Sequence, residues 1–353
     1  MNLTKLLFFS AGLFFFSNVS FGQGDTIVQA IILDSTDRAA DEFYNSGVSD
    51  FGKKKYEEAI NNFTEAIKLK DSFADAYYNR GLVQFTIERY EGAITDFDKA
   101  IALDEKAESY FKRGRAYAAL ESNENAISDY SKAIELDGSH ASAFYYRGGF
   151  KFSDADYEGA IADYSKAITI KKDHAYAYND RGSAKRKLDD LDGAIKDYQK
   201  AVMIDNKMAF AHNNLGSAKR KNGDARGSIN DYSKAISLDD KYFIAYNNRG
   251  SAKFDTEDYK GAIADFDKAL SINSKYAYAY NNRAAAKFKM EDYQGCVEDC
   301  NKAIELDATY SYAYLNRGNA RELLRDERGA CMDWQKAVEL GADGAKAHIG
   351  ICE

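Results

Sequence analysis

Apolar and small residues form pairs of amphipathic segments along most of the 353-residue chain. Between residues 259 and 270, apolar residues stand at i, i+3, i+4, i+7, i+10 and i+11, the spacing of one face of an α-helix. A second helical stripe covers residues 244–256, and a short acidic turn, residues 255–258, joins the two. The pattern predicts two antiparallel helices, A and B, near residues 244–256 and 258–271.

This helix pair is one of nine copies, which align on a glycine in helix A. The step between copies is 34 residues, apart from a single step of 33. We number the positions of each repeat from 1, so that this residue stands at position 8. The aligned residues are Gly47, Gly81, Gly114, Gly148, Gly182, Gly216, Gly250, Ala284 and Gly318. Because one pair cannot bury its apolar faces alone, the copies are expected to stack.

Three positions of helix B complete the core pattern. Position 20 is small in every copy, position 27 is always alanine, and position 24 is aromatic except at Cys300. This pattern resembles the tetratricopeptide repeat. The resemblance implies an all-α fold over residues 40–344, a right-handed superhelical solenoid of antiparallel helix pairs. Cys296, Cys300 and Trp334 are then core residues rather than parts of a cofactor site.

The two ends of the chain lie outside the nine repeats. Residues 1–22 combine Lys5, an apolar run and small residues before Gln23, which is typical of a secretory signal peptide. The run is short for a bilayer crossing, so we expect no membrane span after cleavage; an uncleaved anchor is the alternative. We expect an exported protein, periplasmic or secreted, from a bacterial envelope. Residues 23–39 form a lead-in or N-terminal cap, and residues 345–353 a C-terminal capping segment.

All four cysteines lie near the C-terminus, and an exported protein can keep disulfides. Four cysteines permit three pairings. Cys296 and Cys300 stand four residues apart on one predicted helix, so a bond between them is disfavoured. We favour Cys331–Cys352, which would hold the chain end against the last repeat. A metal site built from these thiols is the weaker alternative, since no CxxC pair or nearby histidine pair completes it.

Composition and motif content argue against catalysis and nucleic-acid binding. The formal net charge is −8, with both signs interspersed, whereas nucleic-acid binders show a basic surplus. No histidine has a partner at a spacing typical of a catalytic triad or a metal site, and no glycine-rich phosphate loop is present. We therefore expect no cofactor, no metal and no enzymatic activity.

Arginine recurs at position 7 of helix A and aspartate at position 23 of helix B, as in Arg249 and Asp265. A partly buried guanidinium needs a counter-charge. We expect these residues, with lysines at position 11 such as Lys253, to form inter-helix ion pairs or hydrogen-bond networks along the stack, which tie one repeat to the next. A ligand-binding role for them is the weaker alternative.

Asparagine recurs at positions 5 and 6 of helix A, off the stripe that faces helix B. Its amide offers a donor and an acceptor together, which suits an extended peptide backbone of any sequence. The arrangement resembles the asparagine ladder in the repeat domain of O-linked N-acetylglucosamine transferase, which grips peptide backbones. The alternative is that asparagine was copied when the repeats duplicated. The candidate residues are Asn79, Asn213, Asn214, Asn247, Asn248, Asn281, Asn282 and Asn316.

Other residues of the same face extend this candidate groove. Position 2 carries the aromatic residues Tyr176 and Tyr278. Positions 12 and 13 of repeats five and six are basic, which predicts a local basic patch for an acidic or extended segment; a solvated charged face is the equal alternative. The basic residues are Arg186, Lys187, Arg220 and Lys221.

The sequence therefore predicts an exported, non-enzymatic interaction scaffold. It would bind an extended peptide or a partner protein in the concave groove. The alternative is a structural module that assembles through the solenoid ends or the convex face, and a homo-oligomer is compatible with either function.

Overall fold

A computed structural model describes residues 38–350 and residue 352. The expected signal peptide and residues 23–37 of the lead-in lie outside this described part. The chain divides into two compact units, up to Gly138 and from Ser139 onward, and each is considered by itself. Among the described residues, no helix combines the length and the apolar character needed to cross a bilayer.

The described residues form nine helix pairs and a short C-terminal element, without strands. The first unit contains repeats one to three: α1 (Arg38–Gly52), α2 (Tyr56–Leu69), α3 (Ala74–Thr86), α4 (Tyr90–Leu103), α5 (Ala107–Ala119) and α6 (Asn123–Leu136). In both units each helix A contacts the helix B that follows it in the chain.

The second unit contains repeats four to nine and the chain end. Its helices are α7 (Ala141–Ser153), α8 (Tyr157–Ile170), α9 (Ala175–Lys187), α10 (Leu191–Ile204), α11 (Ala209–Lys221), α12 (Ala225–Leu238), α13 (Phe243–Asp255), α14 (Tyr259–Ile272), α15 (Ala277–Lys289), α16 (Tyr293–Leu306), α17 (Ser311–Leu323), α18 (Glu327–Glu339), a 3₁₀ turn (Asp343–Ala345) and α19 (Lys346–Ile349). The all-α fold expected from the repeats is confirmed, with helix boundaries in repeat seven within two residues of those predicted.

Aspartate at position 16 sets the start of helix B in all six repeats of the second unit. In repeat seven, Asp258 Oδ1 accepts a hydrogen bond from the backbone N–H of Gly261 at 2.9 Å. This contact satisfies one of the N–H groups that have no partner in the first helical turn. A Cβ on Gly261 would lie 2.0 Å from Asp258 Oδ2, so glycine leaves room for the capping carboxylate.

The two helices of a repeat approach each other most closely at position 8. A Cβ on Gly250 would lie 2.7 Å from Cε1 of Phe266, the buried aromatic residue at position 24. Repeat eight has other residues at both positions, with Ala284 at position 8 and Cys300 at position 24. Ala284 packs in a buried cluster with Cys296 and Cys300. The smaller thiol leaves room for the alanine methyl group, so the two substitutions compensate each other.

The position-7 arginines join helix A to helix B of their own repeat. Nε and Nη2 of Arg249 donate to both carboxylate oxygens of Asp265, at 2.9 and 2.7 Å, and Lys253 Nζ lies 2.8 Å from the same carboxylate. The expected inter-helix ion pairs are present, but the position-23 aspartates join the two helices of one repeat and do not tie one repeat to the next. The link between repeats comes from the third nitrogen, because Arg249 Nη1 donates to Ser233 Oγ at position 25 of repeat six, at 3.1 Å.

The chain end covers the last helix pair. Cys331 of α18 and Cys352 form a disulfide with Cα atoms 5.6 Å apart. The ring of His348 stacks on Trp334, with centroids 4.6 Å apart. These contacts hold residues 343–350 and Cys352 against α18, in the place where the next repeat would pack.

Exchanging the core pair of repeat seven for that of repeat eight tests the compensation. Gly250→Ala alone should destabilise by about 1–3 kcal/mol through overpacking. Phe266→Cys alone should cost about 3 kcal/mol through the cavity that it leaves. The double variant should cost at least about 1 kcal/mol less than the sum, because the methyl group enters that cavity. Urea unfolding measures all three, and strictly additive effects would contradict the pairing.

Removing a position-23 aspartate, which pairs with the position-7 arginine, should destabilise the protein far more than removing an exposed acid. Asp265→Ala leaves Arg249 and Lys253 without their counter-charge and should cost about 3 kcal/mol. The matched control is Glu305→Ala, which removes an exposed i,i+3 pair with Lys302 and should change stability by less than about 0.5 kcal/mol. Urea unfolding of both variants measures the difference. Equal losses of stability would show that the pairing of Asp265 with Arg249 and Lys253 is no stronger than a surface ion pair.

Candidate peptide-binding face

The asparagines of the second unit form hydrogen bonds that cross from each repeat to the next. Asn248 Nδ2, at position 6 of repeat seven, donates to Oδ1 of Asn213, at position 5 of repeat six, at 3.0 Å. The same bond recurs at the three other junctions between repeats five and nine. These bonds are Asn214–Asn179 at 3.1 Å, Asn282–Asn247 at 3.0 Å and Asn316–Asn281 at 2.9 Å.

The position-5 asparagines belong to the packing between neighbouring A helices. Asn213, Asn247 and Asn281 are only 5–6% exposed, and each accepts the bond from the repeat that follows. In the first unit, Asn79 is also buried and donates to Tyr44 Oη at 2.8 Å. The structure therefore places these four predicted site residues in the interior, away from the exposed face of helix A.

The position-6 asparagines remain partly exposed and form a regular row on helix A. The row consists of Asn214, Asn248, Asn282 and Asn316, one residue from each of repeats six to nine. Each uses one N–H in the bond to the preceding repeat. Within the described residues, the Oδ1 atoms of Asn214, Asn282 and Asn316 accept no hydrogen bond. The row therefore presents amide groups to a ligand at the same place in successive repeats.

Exposed aromatic side chains lie one turn before this row, at position 2. Tyr176, Tyr278 and Tyr312 are 51%, 49% and 59% exposed. Tyr176 and Phe210 have ring centroids 5.9 Å apart across the junction of repeats five and six. Because position 2 and position 6 share one helical face, the aromatic and amide rows run side by side.

Two of the four basic residues of the predicted patch in repeats five and six are paired with acids of neighbouring repeats. Arg220 pairs with Asp255 of the next repeat at 2.6 Å, and Lys221 pairs with Asp189 of the preceding repeat at 2.7 Å. Arg186 is partly buried, whereas Lys187 is exposed. Acids that lie 32 and 35 residues away thus neutralise half of the expected positive charge.

A shallow, polar pocket opens beside the asparagine row. Its volume is about 300 Å³, too small and too open to enclose a compact ligand. It suits one side chain of a longer segment. The lining residues are Ser217, Arg220, Lys221, Tyr232, Asn248 and Asp255.

The four histidines all have structural contacts. His140 and His174 accept a backbone N–H at the start of a helix, His212 Nε2 lies 3.2 Å from the carbonyl oxygen of Asn206, and His348 stacks on Trp334. Burial lowers the pKa of His174 to about 4, so this ring is uncharged at neutral pH. In the described part of the chain, no group of three or more histidine, cysteine or acidic side chains could hold a metal ion.

One junction of the second unit breaks the asparagine rule, and the sequence reasoning missed it. Position 5 of repeat four is Tyr145 and position 6 of repeat five is Asp180. Tyr145 Oη donates to Asp180 Oδ2 at 2.7 Å, and Asn179 Nδ2 donates to Asp180 Oδ1 at 2.9 Å. Burial raises the pKa of the Asp180 carboxyl above its usual range. The signal in the sequence is the pair Asn179–Asp180, where repeats six to eight have two asparagines.

Models of the tetratricopeptide repeat match more than half of the chain. The matches are a TPR repeat model at residues 49–87, 182–223 and 250–291, and two tetratricopeptide repeat models at residues 74–106 and 277–310 and at residues 107–140 and 211–242. The chain therefore belongs to the tetratricopeptide repeat family. Proteins of this family are protein-interaction scaffolds, and the fold is generally non-enzymatic.

Several solved structures are similar to this chain. The Cut9–Hcn1 hetero-tetramer of APC/C shares 14% identity at a TM-score of 0.54, over 89% of this chain and 84% of that one. A tetratricopeptide repeat protein from Parabacteroides merdae shares 16% identity at a TM-score of 0.51, over 70% and 99%. YrrB, described as a TPR protein with an unusual peptide-binding site, shares 24% identity at a TM-score of 0.47, over 52% and 95%. The likenesses to the first two structures show the fold alone. No curated protein sequence matches significantly.

The raised pKa of Asp180 predicts that Asp180→Asn increases the thermal stability of the protein by an amount that depends on pH. A carboxyl whose pKa is raised in the folded state destabilises the fold progressively as the pH rises from its unfolded pKa through its folded pKa, and has no such effect below the unfolded pKa. The variant should therefore melt at a higher temperature than the wild type at pH 7. This gain should shrink as the pH falls toward the ordinary aspartate range. Thermal melts from pH 7 to pH 4 measure it, and a gain that does not depend on pH would contradict the assignment.

Proposed function

We propose that this protein is an exported, non-enzymatic scaffold that holds an extended peptide, or an extended segment of a partner protein, along helix A of repeats five to nine. The observation that carries the proposal is the row of Asn214, Asn248, Asn282 and Asn316. It repeats one amide at equivalent places of four successive repeats. A peptide backbone also presents donors and acceptors at regular intervals, so the two patterns are complementary.

The rest of the face supports a peptide rather than a compact ligand. The exposed rings at position 2 offer apolar contact area beside the amides. The pocket beside Asn248 is open and polar, which suits a side chain of a continuing segment. Each backbone hydrogen bond contributes only about 0.5–1.5 kcal/mol net. Useful affinity therefore requires several repeats to act on one segment.

Two observations support export. The first 22 residues have the layout of a signal peptide. The Cys331–Cys352 disulfide is of a kind that persists in oxidising compartments. We propose a periplasmic or secreted location, which fractionation of cells producing the full chain would test.

Two triple variants separate ligand binding from the loss of hydrogen bonds between repeats. Asn248, Asn282 and Asn316 changed together to alanine remove three members of the exposed row. Asn213, Asn247 and Asn281 changed together to alanine break the same three bonds from the buried side. Each broken bond should cost about 1 kcal/mol, so both variants should lose similar stability.

Only the position-6 variant should lose binding. The measurement is the capture of peptides from an immobilised library of short, unstructured sequences, at a temperature where both variants are folded by circular dichroism. We expect at least about a tenfold loss for the position-6 variant and a small loss for the position-5 control. Equal binding by the two variants would exclude the asparagine row as the peptide-binding element.

A further inference from the structure

Asp180 takes the place of asparagine at the start of the exposed row. It stands at position 6 of repeat five, as Asn214 does in repeat six, and it is partly exposed on the same helical face. Tyr176 lies one turn before it and is 51% exposed. Asp180 therefore brings a carboxylate to the face on which later repeats present only neutral amides.

This carboxylate has no cation among the described residues. Its hydrogen bonds come from Tyr145 Oη and Asn179 Nδ2, both neutral groups. Of the four basic residues of the same helix, Arg181 and Lys185 both pair with Asp197, and neither Arg186 nor Lys187 forms an ion pair with Asp180. The position-23 aspartate Asp197 thus pairs with two cations, whereas Asp180 pairs with none. A partly buried carboxylate without a counter-charge is costly, and a cation from a ligand would relieve that cost.

The surroundings of Asp180 suit a cation on a long side chain. Tyr176 stands four residues before Asp180 on the same helical face, and its ring centroid lies 5.9 Å from that of Phe210 in the next repeat. Exposed aromatic rings attract cations and also cover the aliphatic part of lysine or arginine. The face around Asp180 therefore combines a carboxylate with exposed aromatic rings.

We propose that Asp180, Tyr176 and Phe210 form a subsite for a lysine or arginine side chain of the bound peptide. The inference rests on the proposed peptide-binding function and adds a specificity to it. The aliphatic part of the ligand side chain lies against the rings, and its charged group pairs with Asp180. The asparagine row holds the backbone of the following residues without regard to sequence. Repeat five thus sets the register of the peptide, and repeats six to nine add affinity.

The test uses the full mature chain and a library of short, unstructured peptides. The peptides are random except at one fixed position, which carries lysine, arginine, glutamine or glutamate. Fluorescence polarisation should show that the wild type binds the lysine and arginine pools at least about tenfold more tightly than the glutamine pool. The reason is that a hydrogen bond between charged groups contributes more to binding than one between neutral groups. Asp180→Asn should bind all four pools as the wild type binds the glutamine pool.

Asp180→Asn should keep the fold, because the chain already contains the pair that it would create. In the first unit, Asn79 at position 6 donates to Tyr44 at position 5. The matched control is Asp192→Asn, which removes an exposed carboxylate from repeat five that is hydrogen-bonded to Asn222. This control should keep the preference for lysine and arginine.

The two proposals fail in different ways. If the wild type binds peptides without preferring the cationic pools, or if Asp180→Asn keeps that preference, the subsite is wrong and the scaffold function stands. If the wild type binds none of the pools, the scaffold function fails and the subsite fails with it. Loss of the preference in Asp192→Asn would show that net charge, and not Asp180, causes it.

Discussion

The structure depends on how closely helix A approaches helix B at position 8. In repeat seven, the Cα atom of Gly250 lies against the ring of Phe266, and no side chain fits between them. This contact determines which face of helix A turns inward in each repeat. The opposite face, with positions 2 and 6, is then presented in the same way by every repeat. Single residues spaced by 34 positions become continuous rows for this reason.

The fold could be predicted from the sequence because its core positions vary together in size. Glycine at position 8 accompanies an aromatic residue at position 24, and the exception proves informative, since Ala284 accompanies Cys300. The helix starts were also readable, because an aspartate such as Asp258 recurs three residues before a glycine. Local sequence is sufficient for such features, since both partners lie within one repeat.

The candidate site was harder to predict because its contacts join different repeats. The partner of Arg220 is Asp255, 35 residues away, so a basic stretch in the sequence became a neutral pair in the fold. The partner of Asn248 is Asn213, also 35 residues away. Both asparagines of a repeat look equally polar in the sequence. Only the packing of one A helix on the next shows that position 5 is interior and position 6 is exposed.

The asparagine bonds have a consequence for how such a chain can change in length. Each of repeats six to eight contributes one acceptor, at position 5, and one donor, at position 6, and the donor always points back to the repeat before it. A repeat of this kind therefore carries a donor for the repeat before it and an acceptor for the repeat after it. Duplication or deletion of one whole repeat would leave every asparagine amide with a partner at the junctions that result. Evolution can therefore lengthen or shorten the asparagine row by single steps while the junctions stay chemically complete.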